Sequence, residues 1–274
     1  MTYKVIILTG NELRHQYFRT IMSNDSRFTV LATISEGTEN SLENRTDRNP
    51  NSTYLESLHV SARTQTEKDM LLDSVIHMSD KSNPIIIPKG EINEDEVTKQ
   101  IYNYNPDILV CYGSSVIKST LLKDYYNKFI NVHLGLSPYY RGSGTNVWPL
   151  INEEPDMVGA TFMHINEGID TGRIIHQIRA QFFIGDSPHS IGNRLIKQMT
   201  STYCDIVANF DDLTEEVQPN SKGKLYKRRD FDAKACNSLY AAINSSMIEH
   251  YIYRLDHNIA LPYIVQNRGL STAS

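Results

Sequence analysis

Cysteine, tryptophan and long apolar runs are scarce in this chain of 274 residues. Three widely spaced cysteines disfavour a disulfide framework or a zinc ribbon, and they indicate a reducing cytoplasm. The longest apolar runs, residues 5–8 and 85–87, are far too short to cross a bilayer. The first residues lead directly into a strand-like run, so we also expect no signal peptide. A membrane protein and a secreted scaffold are therefore disfavoured.

Positive charge is scarce as well. The chain has 27 Lys and Arg against 32 Asp and Glu, which gives a net charge of -5, and it has no long basic stripe. We therefore expect no nucleic-acid partner. With 40% hydrophobic and 9% aromatic residues, the composition is that of a folded protein that can bury a sizeable core.

Strand-like and helix-like segments alternate through the first half of the chain. Short apolar runs predict strands, and spaced apolar residues predict helices between them. This pattern predicts an α/β fold with a mostly parallel, Rossmann-like sheet flanked by helices, whose ligand site lies at the carboxyl edge of the strands. The predicted strands are 3–9, 28–34, 85–87, 107–113 and 129–133, and the predicted helices are 11–22, 62–78, 93–104 and 114–126.

The second half changes pattern. Residues 160–165 and 173–183 predict longer strands separated by a turn, and 187–210 predicts a long helix. We expect a polar loop at 36–53, a linker at 218–224, a main domain over 1–212 and a small appendage over 213–274. Four apolar residues of the appendage suit either docking on the body or a homodimer interface, and these are Leu239, Ile243, Met247 and Ile248.

Three polar residues lie where predicted strands end. Asn131 and His133 alternate along one strand, so their side chains point to the same face. Asp170 lies in a Gly-bracketed turn. An amide can stabilise an oxyanion, an imidazole can exchange a proton, and a carboxylate can orient that imidazole, so together they suit acyl transfer to an amine. Taken singly, each residue type is more often structural.

Two segments in this order carry a joint pattern. Residues 129–142 read FINVHLGLSPYYRG, and residues 158–172 read VGATFMHINEGIDTG. Together they resemble the folate-dependent formyltransferase family, which includes glycinamide ribonucleotide transformylase, methionyl-tRNA formyltransferase and sugar N-formyltransferases. The resemblance is clear from about 106 to 177 and fainter from 1 to 34. It implies the formyltransferase fold for the main domain.

The resemblance also implies the chemistry. The family moves a formyl group from 10-formyltetrahydrofolate to an amine, without a metal, by means of an Asn, a His and an Asp. These match Asn131, which would hold the formyl oxygen, His133, which would transfer a proton, and Asp170, which would tune His133. The pterin would lie between two segments, whose residues are Ser115, Val116 and Ile117 on one side and His164, Ile165, Asn166, Glu167 and Gly168 on the other. Helix packing is the alternative role for Val116 and Ile117.

One position departs from the commonest family pattern. Gly135 stands where many relatives carry a serine, which points away from the purine-biosynthesis branch.

For the acceptor, Arg14 and His15 at the first helix could bind a phosphate, and Arg141 could border the acceptor site. The alternative for all three is an ordinary surface or loop position.

The leading hypothesis is a cytoplasmic N-formyltransferase that acts on a small-molecule primary amine. An amino sugar, in free or nucleotide-linked form, is the acceptor that we expect. Methionyl-tRNA is disfavoured as acceptor because the chain is acidic and residues 235–255 look helical, whereas those relatives carry a β-rich C-terminal domain. The alternatives are a 10-formyltetrahydrofolate hydrolase, which in known cases has an added regulatory domain, and a catalytically silent folate- or nucleotide-binding relative.

Overall fold

A seven-stranded sheet forms the centre of the computed structural model, which describes residues 2–39, 41–219, 223–267 and 270. The strands of this sheet are β1 Lys4–Thr9, β2 Thr29–Glu36, β3 Pro84–Ile87, β4 Ile108–Tyr112, β5 Phe129–His133, β7 Gly159–His164 and β8 Ile174–Arg179. Their order in the sheet is β3-β2-β1-β4-β5-β7-β8, and the first five of these are parallel, whereas β7 and β8 are antiparallel to their neighbours. The α/β prediction is therefore confirmed.

Helices cover both faces of this sheet. They are α1 Leu13–Asn24, α2 Leu42–Arg48, α3 Tyr54–His77, α4 Asp95–Tyr104, α5 Ser119–Asp124, α6 Trp148–Ile151, α7 Pro188–Ala208, α8 Ala233–Ile243 and α9 Met247–Asp256. One apolar core lies between the sheet and α1, α3, α7, α8 and α9, and a second lies beneath α4 and α5 on the opposite face. Val5 and Ile7 enter the first core while Ile6 and Leu8 enter the second, because successive side chains of a strand alternate.

Two predicted segments differ from the structure near the site. The segment expected as a loop at 36–53 contains α2, whose first turn is capped by Ser41 through a 3.1 Å bond from Asn44 N. The long helix α3 begins eight residues before the predicted start, because Thr53 and Glu56 form a capping box.

The segment at 114–126 is helical only in α5. Its first residues stay extended, because Asn93 accepts from Lys118 N at 2.7 Å and donates to Val116 O at 2.9 Å. These side-chain bonds compete with helical ones. The prediction of a helix from 114 was therefore wrong over residues 114–118.

The C-terminal region packs on the body of the molecule. A short strand, β9 Lys224–Tyr226, pairs in parallel with β6 Tyr140–Gly142, and α8 packs on α3 and α6. Leu239, Met247 and Ile248 are buried and Ile243 is partly buried against the main core, so these four residues dock on the body in this chain. The predicted linker at 218–224 ends inside β9, and its residues 220–222 lie outside the described part. The division at residue 212 and the homodimer stay predictions.

Candidate active site

A cavity of about 470 Å³ opens at the carboxyl edge of the parallel strands. Gly10 after β1, Gly37 after β2 and Gly113 after β4 lie in its floor, together with the end of β5. Residues of α1, α3 and α7 form its walls, and Lys227, Arg228 and Phe231 of the C-terminal region line it as well. Open α/β sheets bind their ligands at this edge, as the sequence predicted.

Asn131 and His133 bring polar side chains into this cavity from β5. They are two residues apart on one strand, and both line the cavity. In the antiparallel pairing with β7, Asn131 lies opposite Met163 and His133 lies opposite Thr161. The predicted common face of the two residues is therefore present.

His133 contacts two oxygen atoms. Its Nε2 lies 2.8 Å from the carbonyl oxygen of Tyr140, and its Nδ1 lies 3.4 Å from Asp170 Oδ2. A carbonyl and an ionised carboxylate only accept hydrogen bonds, so a ring with N–H on both nitrogens uses both contacts. That is the form of an imidazole that has taken up a proton. The structure therefore brings the predicted imidazole and carboxylate together.

Asp170 is held in the turn before β8 with a left-handed backbone, φ 53°. Its carboxylate accepts the Gly142 N–H at 2.8 Å, and its carbonyl oxygen accepts from Gln218 Nε2 at 3.1 Å. Asn166 closes the preceding turn by accepting from Gly168 N and Thr171 Oγ1. Asp tolerates the left-handed region better than most residues, and these bonds fix its side chain toward His133.

Glycine is required at two positions around His133. A Cβ on Gly135 would lie 2.6 Å from His133 Nε2 and 2.8 Å from Thr145 Cβ. Gly142 has φ 93°, and a Cβ there would lie 2.1 Å from the Tyr226 carbonyl oxygen. The absence of a serine at 135, noted as a departure from the family pattern, thus leaves room for the His133 ring as it is placed here.

Strand β9 completes this arrangement. It pairs with the strand that supplies the Tyr140 carbonyl and the Gly142 N–H, and Ser143 N donates to Tyr226 O at 2.9 Å. The Tyr226 ring stacks on Trp148 at 4.3 Å. Sequence reasoning missed the pairing of β9 with β6, because it runs through the backbone and a three-residue strand has too few positions to show a period.

The residues predicted for the pterin lie outside the lining of this cavity. Ile117 is in the apolar core beneath α4 and α5, and Ile165 packs against that same core. Val116 is 72% exposed, and Glu167 and Gly168 are exposed too. The two predicted segments are therefore adjacent to one apolar cluster on the side of the sheet that Asn131 faces. Their role stays a prediction.

Among the residues predicted for the pterin, His164 differs from the others in the side of the sheet to which its ring points. It pairs with Ile130 of β5, which lies in the core on the α7 face, so its ring points away from Asn131. The ring contacts Glu215 Oε1 at 2.7 Å, and its Nδ1 is buried without a partner among the described residues. Any contact of His164 with a pterin would therefore use its backbone.

Glu36 was not predicted and holds one of these segments in place. It is fully buried at the end of β2, and its carboxylate accepts Ser115 N at 2.6 Å, Gly90 N at 2.9 Å and Lys89 Nζ at 2.7 Å. Burial alone would raise the pKa of Glu36. The Lys89 ammonium and the two backbone N–H groups outweigh this effect and hold the pKa of Glu36 below its ordinary value. A charged residue just after an apolar strand was the available signal.

The predicted acceptor residues are placed differently from one another. Arg14 lines the cavity, but its guanidinium pairs with Glu67 at 2.8 Å and with Glu12. His15 lines it as well, and burial followed by nearby cations lowers its pKa well below the ordinary value. Because its Nδ1 accepts from Glu12 N at 3.2 Å, its Nε2 carries the proton and can donate.

Arg141 is outside the cavity lining. It lies in β6, between the residues that contact His133 and Asp170, and its Nη2 donates to Gly223 O at 3.1 Å. Its Nε is buried without a partner among the described residues. The roles of Arg14, His15 and Arg141 stay predictions.

Neither a metal centre nor a membrane span is found in the described part of the chain. Within residues 2–39, 41–219, 223–267 and 270, no three His, Cys, Asp or Glu side chains are grouped as metal ligands. Among those same residues, no helix is both long and apolar enough to cross a bilayer.

Residues 3–207 match the model of the Formyl transferase family. A methionyl-tRNA formyltransferase of Finegoldia magna is 36% identical over 93 residues, which cover 33% of this chain and 29% of that protein. One of Prochlorococcus marinus is 25% identical over 171 residues, which cover 62% of this chain and 48% of that protein. The matched segments thus span less than half of each of these curated relatives.

Solved structures of formyltransferases share this fold. A sugar N-formyltransferase from a Shewanella species superposes with a TM-score of 0.54 at 20% identity, over 84% of this chain and 78% of that one. A formyltransferase from Anoxybacillus kamchatkensis, in complex with UDP-4,6-dideoxy-4-formamido-L-AltNAc and tetrahydrofolate, has a TM-score of 0.50 at 16% identity, over 86% of this chain and 97% of that one. At these identities, the likeness establishes the fold alone.

Proposed function

The chain belongs to the formyl transferase family, and we propose that it transfers a formyl group from 10-formyltetrahydrofolate to the primary amine of an amino sugar. The observation that carries this proposal is the contact between His133 and Asp170, 3.4 Å apart beside Asn131 at the edge of the cavity. The sequence resemblance named these three residues, and the contact of His133 with Asp170, which come from two separate segments, supports their joint role.

In the proposed reaction, the acceptor nitrogen forms a bond to the formyl carbon while the electron pair of the C=O bond moves onto oxygen. The Asn131 amide donates a hydrogen bond to that oxygen. His133 takes the proton that the attacking nitrogen loses, and Asp170 stabilises the charged ring. When the C=O bond re-forms, N10 of the folate leaves and gains a proton, so the products are a formamide and tetrahydrofolate. We assign no step to a metal.

The donor is supported by the two segments on the Asn131 side of the sheet. Ser115 N is fixed by Glu36, and the Val116 carbonyl is fixed by Asn93, so this stretch is held extended. Ile117 lies in the same apolar cluster that Ile165, just before the turn at 166–168, packs against. An extended backbone and a turn can present peptide groups to the edge of a flat pterin. The solved relative from Anoxybacillus kamchatkensis contains tetrahydrofolate, which supports the same donor.

The acceptor is argued from the size and polarity of the cavity. About 470 Å³ suits a small molecule, and the lining combines Asn, His, Ser, Thr and charged side chains. The two solved relatives named above act on or contain sugars. Methionyl-tRNA is the second candidate for the acceptor, because the curated relatives are named methionyl-tRNA formyltransferases. The net charge of -5 favours the small molecule, since binding to RNA depends on cations that neutralise phosphates.

The test is an acceptor panel. The protein is incubated with 10-formyltetrahydrofolate and free amino sugars, nucleotide-linked amino sugars or methionyl-tRNA, while the appearance of tetrahydrofolate is followed. We expect acceptor-dependent turnover with an amino sugar and its loss in His133→Gln. Turnover without any acceptor would identify a hydrolase, and binding of folate without turnover would identify a silent relative. Turnover with methionyl-tRNA alone would assign the second candidate.

Two further properties belong to the same proposal. Localisation in the cytoplasm is supported by the free, buried thiols of Cys111, Cys204 and Cys236. The proposed reaction also needs neither a nucleic acid nor a membrane as partner. Fractionation of the host cell and the sedimentation behaviour of the purified chain would test the location and the homodimer.

A further inference from the structure

The charges on the inner wall of the cavity are compensated. Arg14 and Arg63 lie there together with Glu12 and Glu67, and Arg63 Nη2 is 3.3 Å from Glu67 and 3.7 Å from Glu12. Arg14 pairs with the same two carboxylates. Lys89, the next cation of the lining, pairs with Glu36 at 2.7 Å. These cations are therefore matched by carboxylates already within the protein.

Two cations of the lining are not compensated in this way. Lys227 and Arg228 come from the turn after β9, and both are exposed. Among the described residues, no carboxylate lies within 4.0 Å of either charged group. They contribute positive charge to the side of the cavity that the C-terminal region forms. The Asp230 carboxylate accepts the backbone N–H of Lys227 at 2.7 Å, but it pairs with neither of the two charged groups. An anionic part of a ligand is attracted to these two cations.

The α7 wall carries polar atoms without partners. His189 and Asn193 are one helical turn apart, both line the cavity, and both are more than nine-tenths buried. His189 Nε2 and Asn193 Oδ1 have no hydrogen-bond partner in the described part of the chain. Burial lowers the pKa of His189 to about 3, so its ring is neutral. Leaving buried polar atoms without hydrogen bonds costs free energy. A ligand that forms hydrogen bonds with these two atoms would therefore bind more tightly.

We propose that Lys227 and Arg228 form a subsite for the phosphate or diphosphate of the acceptor, and that His189 and Asn193 contact its hydroxyl groups. This inference rests on the proposed function, because it orients the acceptor with its amine toward Asn131 and its anionic end toward the C-terminal region. A phosphate supplies the negative charge and the acceptor oxygens that Lys and Arg bind. The ligand class is a phosphorylated or nucleotide-linked amino sugar rather than a free one.

The test measures anion binding without the formyl donor. Inorganic pyrophosphate and UDP are titrated calorimetrically into the full chain and into Lys227→Ala/Arg228→Ala. We expect the dissociation constant to rise about tenfold or more in the double variant, because two charge-assisted contacts are lost. Salt should weaken binding to the unmodified protein. Tighter binding of UDP than of pyrophosphate would assign the nucleotide-linked form, and equal binding would assign the sugar phosphate.

Arg229→Ala is the matched control, because Arg229 is exposed beside this pair and does not line the cavity. We expect it to change the dissociation constant by less than about twofold. Equal weakening by Arg229→Ala, or unchanged binding in the double variant, would overturn the subsite. An Arg14→Ala/His15→Ala variant that alone loses binding would place the anion at the β1–α1 turn instead. Anion binding with no formyl transfer would refute the proposed function and leave the anion subsite standing.

Discussion

Replacing Asp170 by asparagine tests the part played by its charge. Asparagine has nearly the same shape, and its Oδ1 can still accept the Gly142 N–H that Asp170 accepts at 2.8 Å. The fold of the turn should therefore survive. What is lost is the negative charge 3.4 Å from His133 Nδ1, at a pair whose side chains are 7% and 12% exposed. We expect a slower chemical step and an unchanged fold.

The size of the effect follows from Coulomb's law. Two unit charges 3.4 Å apart interact by about 5 kcal/mol at an effective dielectric constant of about 20. Asparagine keeps a dipole near the ring, so we expect about 3 to 4 kcal/mol to be lost when the ring becomes charged. That corresponds to a decrease in kcat of roughly 100- to 1000-fold.

The assay is steady-state turnover of the accepted amine, with thermal unfolding measured on the same samples. Asp156→Asn is the control, because Asp156 also lies 3.4 Å from a cation, Arg254, and its side chain is also 12% exposed. Its partner Arg254 does not line the cavity, whereas His133, the partner of Asp170, does. The control should keep its kcat. A kcat for Asp170→Asn within about threefold of the unmodified protein would refute the assigned role of the charge.

Three further changes test the surroundings of this pair. Asn131→Ala should lower kcat by about 100- to 1000-fold at a nearly unchanged midpoint of thermal unfolding, because it removes the oxyanion donor; a smaller loss would contradict that role. Gly135→Ala places a Cβ 2.6 Å from His133 Nε2, so the ring must move, and we expect roughly 10- to 100-fold lower kcat in the same assay. Burial lowers the pKa of His59 to about 4 and that of His189 to about 3, so the unfolded chain binds more protons as the pH falls below 6.5. Each of these two imidazoles should lower the stability by about 1 kcal/mol between pH 6 and pH 5. His15 and His176, whose pKa burial also lowers, act in the same direction. In denaturant titrations, the loss of stability over this interval should therefore be about 2 kcal/mol smaller in a His59→Phe/His189→Phe variant than in the unmodified protein; an equal loss in both would contradict it.

The strands of the sheet were predictable because their sequences are almost wholly apolar. Residues 129–133 were placed without error, and the common face of Asn131 and His133 followed from the period of a strand. The period of a strand does not indicate that Asp170 lies close to His133. It depends on the turn before β8 and on the Gly142 N–H, so only the family resemblance indicated it.

Helix boundaries were less predictable where polar side chains decide them. Asn93 and Glu36 hold residues 115–118 extended through bonds that link distant parts of the chain. Ser41 starts a short helix inside a polar stretch that lacks any apolar period. In each case, one or two hydrogen bonds outweigh the weak local preference.

The contribution of the C-terminal region to the site was also beyond the sequence. Strand β9 holds β6 by backbone bonds, which any residue type can make, and Lys227 and Arg228 enter the cavity lining as a result. The sequence shows a small basic run at 226–230, which is more often a solvated surface than a contact for an anionic substrate. Its position relative to His133 depends on the parallel pairing of two strands about eighty residues apart.

Mass spectrometry of the acceptor most directly tests the claim that Asn131, His133 and Asp170 move a formyl group onto an amine. The amine is incubated with 10-formyltetrahydrofolate that carries a labelled formyl carbon, in the presence of the unmodified protein or of His133→Gln. We predict that the amine gains one labelled formyl group with the unmodified protein and none with the variant. Label recovered only as free formate, or equal labelling by both proteins, would contradict it.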